Sequence, residues 1–411
     1  MNILLINKFL YPRGGAETYL MKLGKALAGA GHAVSYFGMA HPDNCVGNRA
    51  GLYTKQLDFH DGSNPIEKLT YPLRIIRSGE AKTKLRAVME DFRPDVVHIN
   101  NFNYQLTPTV LEAAEEYRRE NNPALRVVYT AHDSQLVCPG HLMYRPDTHT
   151  VCDACLGHHL WNCVKRRCIH GSRLRSLLGA IESEYWYRKK IYAVLDAVIC
   201  PSADMKRALD TDPTLRARTV VLRNFVEKPQ MPLSTETETP PPVPSDRYVL
   251  YFGRYAEEKG IRTLLSACRA LPDVPFIFAG SGELKTLIAG EHLPNVRDVG
   301  FLSGENLDTL VRGARFTVCM SECSENCPFS VMESIMHGTP VLGSDRGGIP
   351  ELIDDGKTGW LCPAGDCDAL AEKIRTLWDG DMPEMCRENC TPETFDDMET
   401  YLGKLMGIYR G

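Results

Sequence analysis

The sequence predicts an α/β protein of two doubly wound domains, each built on a mainly parallel sheet. Three observations carry that expectation. The chain has 411 residues, and at roughly 100 to 200 residues per domain that suffices for two cores. Short apolar runs alternate with helical patterns in both halves, the arrangement that yields a parallel sheet covered on both faces. Between Val226 and Tyr248 the stretch EKPQMPLSTETETPPPVPSDR is dense in Pro, Thr and Glu. It suits neither helix nor strand and reads as a linker over residues 229–246.

The elements follow in order. NILLIN forms the first strand, Pro12 to Gly15 a loop, and Ala16 to Ala30 a helix closed by Gly31. AVSYF, PDVVHIN, LRVVYTAHD and DAVICPS are further strands, with a helix from Leu106 to about Glu120 after the second of them. Past the linker, YVLYFGR, FIFAG, VRDVGFL, FTVCM, PVLGS and GWLCP alternate with helical segments. These cover Gly260 to Leu271, the region of Leu284, Asn306 to Ala314, Ser330 to His337 and Asp368 to Trp378. A last helix is expected to start at Thr391 and Pro392, a capping residue followed by proline at the first helical position. The expected domains are 1–228 and 247–390, with 391–411 packing back on the first. Ligands of such sheets bind outside the carboxyl ends of the strands, so the function is expected in the cleft between the domains.

Composition excludes several classes. Charged residues make up 24% and the hydrophobic set 43%, unlike a disordered or collagenous chain. The start, MNILLINKFLYPRGGAE, puts its apolar run before any basic segment, unlike a signal or transit peptide, and no run of eighteen apolar residues is present. A cytoplasmic protein is expected. The fifteen cysteines then imply free or metal-bound thiols in a reducing compartment. The net charge of −5 divides unevenly, with 31 Lys/Arg against 23 Asp/Glu before Thr235 and 16 against 29 after it. This argues against a nucleic-acid binder and suits a basic domain meeting lipid phosphate at the inner face of a membrane, a mixed solvated face being the alternative. Within it, a helix over Arg173 to Leu195 can set Arg173, Arg175, Arg188, Lys189 and Lys190 beside Trp186 and Tyr187 at such a surface.

The sharpest pattern is SECSENCPFSVMESIMHGTPVLGSDRGGIPEL, in which Glu325 and Glu333 stand eight positions apart around a loop-to-helix junction. A helix starting near Ser330 presents unpaired amides and the positive end of its dipole, so Pro328, Phe329, Ser330 and Val331 lie where a diphosphate or sugar hydroxyl can dock. Glu333 can accept hydrogen bonds from ribose hydroxyls, and Glu325 from a transferred sugar. Acidic residues at a helix start also have a plain dipole explanation. Gly253, Arg254, Glu258, Lys259 and Gly260 form a second strand-to-helix junction, whose two cations can stabilise a departing diphosphate.

With the flanking turns Gly338 to Val341 and Gly347 to Glu351, this half resembles the retaining, nucleotide-sugar-dependent glycosyltransferases of family four. That family has the GT-B architecture of two facing Rossmann-like domains, and the resemblance covers nearly the whole chain. It implies transfer of a sugar from a nucleotide-sugar donor, a UDP- or GDP-sugar in preference to an ADP-sugar. The acceptor is a glycan or lipid-linked hydroxyl in exopolysaccharide, capsule or lipopolysaccharide biosynthesis. It implies that Glu325 and Glu333 hold the donor, that Arg254 and Lys259 beside Gly253 neutralise the diphosphate, and that Gly14, Gly15 and Glu17 face it. His132 is expected near the reacting sugar, and His98 is a candidate for the acceptor site. Catalysis is expected to need no metal, since the Asp-x-Asp pairs at Asp210/Asp212, Asp366/Asp368 and Asp379/Asp381 follow no suitable strand. The rival readings are a nucleotide-sugar epimerase of the same fold and a noncatalytic scaffold.

Between Cys138 and Cys168 five cysteines fall within 31 residues. Cys152, Cys155, Cys163 and Cys168 suffice for one closed tetrahedral structural zinc site, with Cys138 spare. His141, His149, His158, His159 and His170 can substitute for a thiol. A small insertion without a core needs such a staple, and the alternative is a set of buried free thiols.

Overall fold

The computed structural model describes residues 1–56, 75–148, 150–227 and 247–411; the expected linker and His149 lie outside them. The chain divides into two compact units, one of residues 1–147, 152–223 and 398–411, the other of residues 148–151 and 224–397. Each contains a six-stranded sheet.

In the first unit the strands are β1 (Asn2–Asn7), β2 (Ala33–Phe37), β3 (Val96–Asn101), β4 (Arg126–Thr130), β5 (Ala197–Cys200) and β6 (Thr219–Val221). They run parallel in the order β2-β1-β3-β4-β5-β6. Central strands of such a sheet are covered on both faces and so read as continuous apolar runs. β1 and β3 obey this except at His98, inside β3, and at their carboxyl ends, where Asn7, Asn100 and Asn101 are polar and buried. Helix α1 (Gly15–Gly29) follows β1 and buries Tyr19, Leu20, Leu23 and Leu27 at helical spacing.

The expected helix from Leu106 is interrupted. Asn103–Leu106 forms one turn and Thr109–Glu120 the helix proper, because Pro108 disfavours helical geometry at Thr107. The cysteine-rich insertion, 138–170, carries α2 (Asn162–Arg166) and is followed by α3 (Arg173–Arg188), and the two helices pack on each other. Two residues expected at a membrane surface are engaged elsewhere. Trp186 is fully buried, its indole N–H donating to the Ile76 carbonyl at 2.9 Å, and Lys189 pairs with Glu112 at 2.8 Å.

The last helix begins at Met398 and not at Thr391. Thr391 only precedes a single 3-10 turn over Pro392–Thr394. The backbone beyond is spent on a β-bridge, with Asp397 opposite Val226 and the Val226 amide donating to the Asp396 carbonyl at 3.0 Å. The C-terminal helix belongs to the first unit. Its Tyr401 hydroxyl meets that of Tyr19 at 2.5 Å, and its Tyr409 hydroxyl meets His98 Nδ1 at 2.6 Å. His98 Nε2 is taken by Thr130 at 2.7 Å. With both nitrogens occupied and no exposure, His98 is a core residue and not part of an acceptor surface.

In the second unit β7 (Val249–Arg254), β8 (Phe276–Ser281), β9 (Val296–Gly300), β10 (Phe316–Cys319), β11 (Val341–Ser344) and β12 (Gly359–Cys362) run parallel in the order β9-β8-β7-β10-β11-β12. Helix α4 (Ile261–Ala270) follows β7 and α5 (Phe329–Met336) follows β10. Since β7 and β10 are neighbours, the loops beyond their carboxyl ends meet. Among the described residues no helix is long and apolar enough to cross a membrane.

Burial pulls the His98 pKa down to about 3. Below the usual value near 6.5 the unfolded chain binds a proton that the folded chain refuses, so this contribution is complete above that pH and is lost on acidification. At about pH 5 the loss is about 2 kcal/mol. Urea unfolding at pH 7 and 5 should show this drop in wild type and a shallower one in His98→Gln; equal slopes in the two proteins would remove His98 as its source.

Candidate active site

The second unit builds its site from two loops. Beyond Arg254 a 3-10 turn over Glu257–Lys259 leads into Gly260, whose φ of +70° starts α4. A Cβ at Gly260 would stand 2.0 Å from the Met320 carbonyl oxygen, so only glycine lets the loop after β10 approach. That approach brings the Lys259 ammonium onto the Glu325 carboxylate, with 25% and 13% of the two side chains exposed. Glu325 also accepts from the Ser321 hydroxyl at 2.9 Å and the Cys323 thiol at 3.7 Å. Burial alone would raise the carboxyl pKa and lower that of the ammonium. Their opposite charges prevail, holding Glu325 below and Lys259 above their usual values.

The glycine-rich turn after β11 supports this loop from behind. Gly347, at φ +58°, would place a Cβ 2.2 Å from the Glu325 carbonyl oxygen, and the Gly348 amide donates to that oxygen at 2.6 Å. Glu322 accepts from Thr263 at 2.6 Å while its amide donates to the Glu258 carbonyl.

Helix α5 starts behind Pro328 with no side-chain cap. The Val331 amide turns back to the Pro328 carbonyl at 3.2 Å and its side chain is buried. The Phe329 ring lies 6.2 Å from that of Phe225, and the Ser330 hydroxyl is 3.9 Å from the Cys319 sulfur. Glu333 is half-buried one turn inside. Arg254, just past the φ +147° of Gly253, is 55% exposed and pairs with Glu258. The two cations therefore differ, one enclosed by a carboxylate and the other open to solvent.

In the first unit Gly14 caps α1 in extended geometry. It precedes Gly15, and a Cβ on Gly14 would lie 3.4 Å from the Glu17 carboxylate. Glu17 accepts from Asn7 Nδ2 at 3.0 Å. His132 Nε2 contacts Asn100 Oδ1 at 3.0 Å, and burial pulls its pKa to about 4 against the opposing charge of Asp133, leaving the ring neutral. Asn7 and Asn100 each keep one buried amide atom without a partner among the described residues. Sequence reasoning passed over both, together with Lys8, whose pKa is lowered by burial between Asp133, Glu17 and Arg13. Their signal was present, since strands covered on both faces rarely end in Asn-Lys or His-Ile-Asn-Asn without use for those groups. Also unforeseen is an open depression of about 360 Å³ lined by His41, Asn44, Cys45 and Tyr53, with Tyr11 stacked on His41 at 4.2 Å.

Two of the Asp-x-Asp pairs do local work. Asp212 caps the turn from Pro213 and Asp366 caps the helix from Cys367. The five insertion cysteines are free thiols, Cys138, Cys152, Cys155 and Cys163 buried and Cys168 half-buried. Arg166 donates to the Cys152 sulfur at 2.9 Å. Cys155 and Cys163 pack together with Leu160 against Cys168. A Cβ at Gly140 would lie 3.4 Å from Cys168 Cβ and 3.9 Å from the Cys138 sulfur. Among the described residues no three Cys, His, Asp or Glu side chains form a cage for a metal ion.

Removing one member of an enclosed ion pair strands the other charge. Lys259→Met and Glu325→Gln should each cost about 3 kcal/mol, the low end for breaking a buried pair. The double variant should recover most of that loss, since neither charge remains. Additive losses in denaturant unfolding would show that the two groups are not coupled.

The family model described as Glycosyltransferase Family 4 matches residues 13–228, and that of Glycosyl transferases group 1 matches residues 235–391. The amylovoran biosynthesis glycosyltransferase AmsK of Erwinia amylovora is 33% identical over 147 residues, 32% of this chain and 36% of that protein. The chain thus aligns with about a third of the length of the curated relatives it first matches. Sucrose-phosphate synthase of Thermosynechococcus elongatus superposes on 99% of this chain over 98% of its own, with a TM-score of 0.67 at 20% identity. Anabaena Alr3699/HepE, solved in complex with UDP, covers 99% of both chains with a TM-score of 0.62 at 16% identity. These likenesses identify the fold as GT-B. One of the two family models spans more than half of the 411 residues, and the chain belongs to glycosyltransferase family 4.

Proposed function

We propose that the protein is a retaining glycosyltransferase of polysaccharide biosynthesis, moving a sugar from a UDP- or GDP-sugar to a hydroxyl of a lipid-linked glycan at the cytoplasmic face of a membrane. The observation that carries this reading is the Lys259–Glu325 pair, on the loops that follow β7 and β10. As the sugar–phosphate bond breaks, negative charge grows on the departing diphosphate. Lys259, held by Glu325, and the exposed Arg254 stabilise that charge in place of a divalent ion, and the start of α5 around Pro328, Phe329 and Ser330 adds its dipole. Glu333 accepts from the ribose hydroxyls and Glu325 orients the transferred sugar. For the first unit the family resemblance supports a role for the neutral His132 toward the sugar and for Gly14, Gly15 and Glu17 toward the diphosphate. The acceptor proton passes to the departing phosphate oxygen on the same face of the sugar, the simplest route without a carboxylate nucleophile. The name of the Erwinia relative supports the polysaccharide assignment, and the Anabaena complex with UDP supports a uridine donor.

The test is a panel of UDP- and GDP-sugars with membrane-extracted acceptor. One donor should raise the melting temperature, by an amount equivalent to about 2.7 kcal/mol at a hundredfold its dissociation constant. Nucleoside diphosphate release should depend on acceptor, with the donor anomer retained in the product. Free epimer in place of transfer would mark an epimerase, and neither binding nor release would mark a scaffold. Arg254→Ala should turn over roughly ten- to a thousandfold more slowly at unchanged melting temperature. Brief EDTA treatment should leave the wild-type rate as it was; a rate restored only by magnesium or manganese would overturn the metal-free mechanism.

The insertion is proposed to bind one structural zinc through Cys152, Cys155, Cys163 and Cys168, with Cys138 available as a replacement ligand. Support comes from five sulfurs gathered in a segment with little core of its own, where burial pushes the thiols of Cys138 and Cys155 up to about 11 and about 12. A divalent cation reverses that penalty by binding the thiolates. Protein prepared without chelator should carry about one zinc per chain. Cys152→Ser with Cys155→Ser should lose it and become protease-sensitive between residues 138 and 170. Metal-free protein that resists protease equally well would refute the site.

A further inference from the structure

We infer that the outward stripe of α3, together with the neighbouring Trp161, is a docking face for an anionic lipid bilayer. The inference rests on the proposed lipid-linked acceptor and assigns the surface that reaches it. Helix α3 buries Ser176, Gly179, Ala180, Glu182 and Trp186 on one side. On the opposite side, at spacings of four and three, stand Leu174, Leu178 and Ile181. Leu174 is 67% exposed, Ile181 is 37% exposed and Leu178 is half-buried. A surface helix normally turns polar residues outward, whereas this one turns an aliphatic ridge outward and buries Glu182.

The charges around the stripe identify its occupant. Arg173 and Arg175 are exposed and flank Leu174, each about 100° around the helix from it. Over residues 154–181 the chain has five Lys/Arg and no Asp or Glu. Trp161, at the start of the adjoining α2, is 50% exposed, and an indole with one apolar and one polar edge favours the membrane interface. A stable protein partner would bury about 800 Å² on each side, more than one ridge of three aliphatic side chains and an indole offers. Shallow insertion between headgroups needs no such area. It pairs the aliphatic ridge with acyl chains and the flanking guanidinium groups with lipid phosphate.

The experiment is sedimentation of the full chain with vesicles of phosphatidylglycerol and phosphatidylcholine, and with phosphatidylcholine alone, at low and high salt. Wild type should pellet with the anionic vesicles at low salt, leave them at high salt and ignore the neutral ones. Leu174→Asp with Ile181→Asp, and Arg173→Glu with Arg175→Glu, should each weaken binding at least about tenfold. Their melting temperatures, with and without donor, should match wild type, since these side chains are exposed and outside the site. Wild type that stays in the supernatant with both vesicles, or double variants that pellet like wild type, would overturn the proposal. A lipid-free dimer abolished by Leu174→Asp with Ile181→Asp would overturn it in favour of a second copy. Vesicle binding without sugar transfer leaves the docking face standing and removes the activity, whereas transfer without vesicle binding does the reverse.

Discussion

Lys259 and Glu325 lie 66 positions apart in the chain, on the loops beyond two adjacent strands. Taking both charges largely out of water is costly, and the geometry has to be good for their attraction to offset it. The surroundings supply that geometry. Gly260 admits the Met320 carbonyl, Gly347 admits that of Glu325, and Ser321 and Cys323 fill further acceptor positions on the carboxylate. The two glycine turns that look like family ornament in the sequence are the steric conditions for the pair.

The pair also divides labour between the two cations. Lys259 is oriented by Glu325, so in the proposed reaction it need not reorganise when a diphosphate leaves, which is what makes a fixed charge effective. Arg254 remains exposed beside Glu258 and can move to meet a ligand. The first unit follows the same construction in neutral form. β1 and β3 spend apolar residues along their lengths and place polar ones at the carboxyl ends, where Asn7 holds Glu17 and Asn100 holds His132. Ligands of parallel sheets bind at those ends because only there do backbone and side chains escape the helices covering both faces.

The cysteine-rich insertion obeys a different constraint. Its own apolar cluster is small, with Cys155, Leu160 and Cys163 at the centre, so it lacks the area that stabilises an independent domain. It nonetheless leaves Trp161 to solvent, and α3 just beyond it leaves Leu174. Apolar groups turned outward from a segment short of core indicate a surface kept for contact.

Periodicity and turn chemistry determined the two parallel sheets, apart from the edge strand β6, and the junctions bearing Arg254, Lys259, Glu325 and Glu333, because apolar alternation and glycine placement are local properties of the sequence. Where a distant segment competed, local signals misled. Thr391-Pro392 reads as a helix start, yet the following backbone bridges to Val226. Trp186 reads as a surface anchor, yet its indole is drawn to Ile76. His98 reads as a strand-end ligand, yet Tyr409, 311 positions away, and Thr130 consume its ring. Only the tertiary structure decided that Lys259 and Glu325 form one unit, that His132 is neutral and that α3 is apolar on its outer side. Pairing, protonation and exposure are set by what other parts of the chain bring within a few ångströms, and no spacing along the sequence encodes that distance.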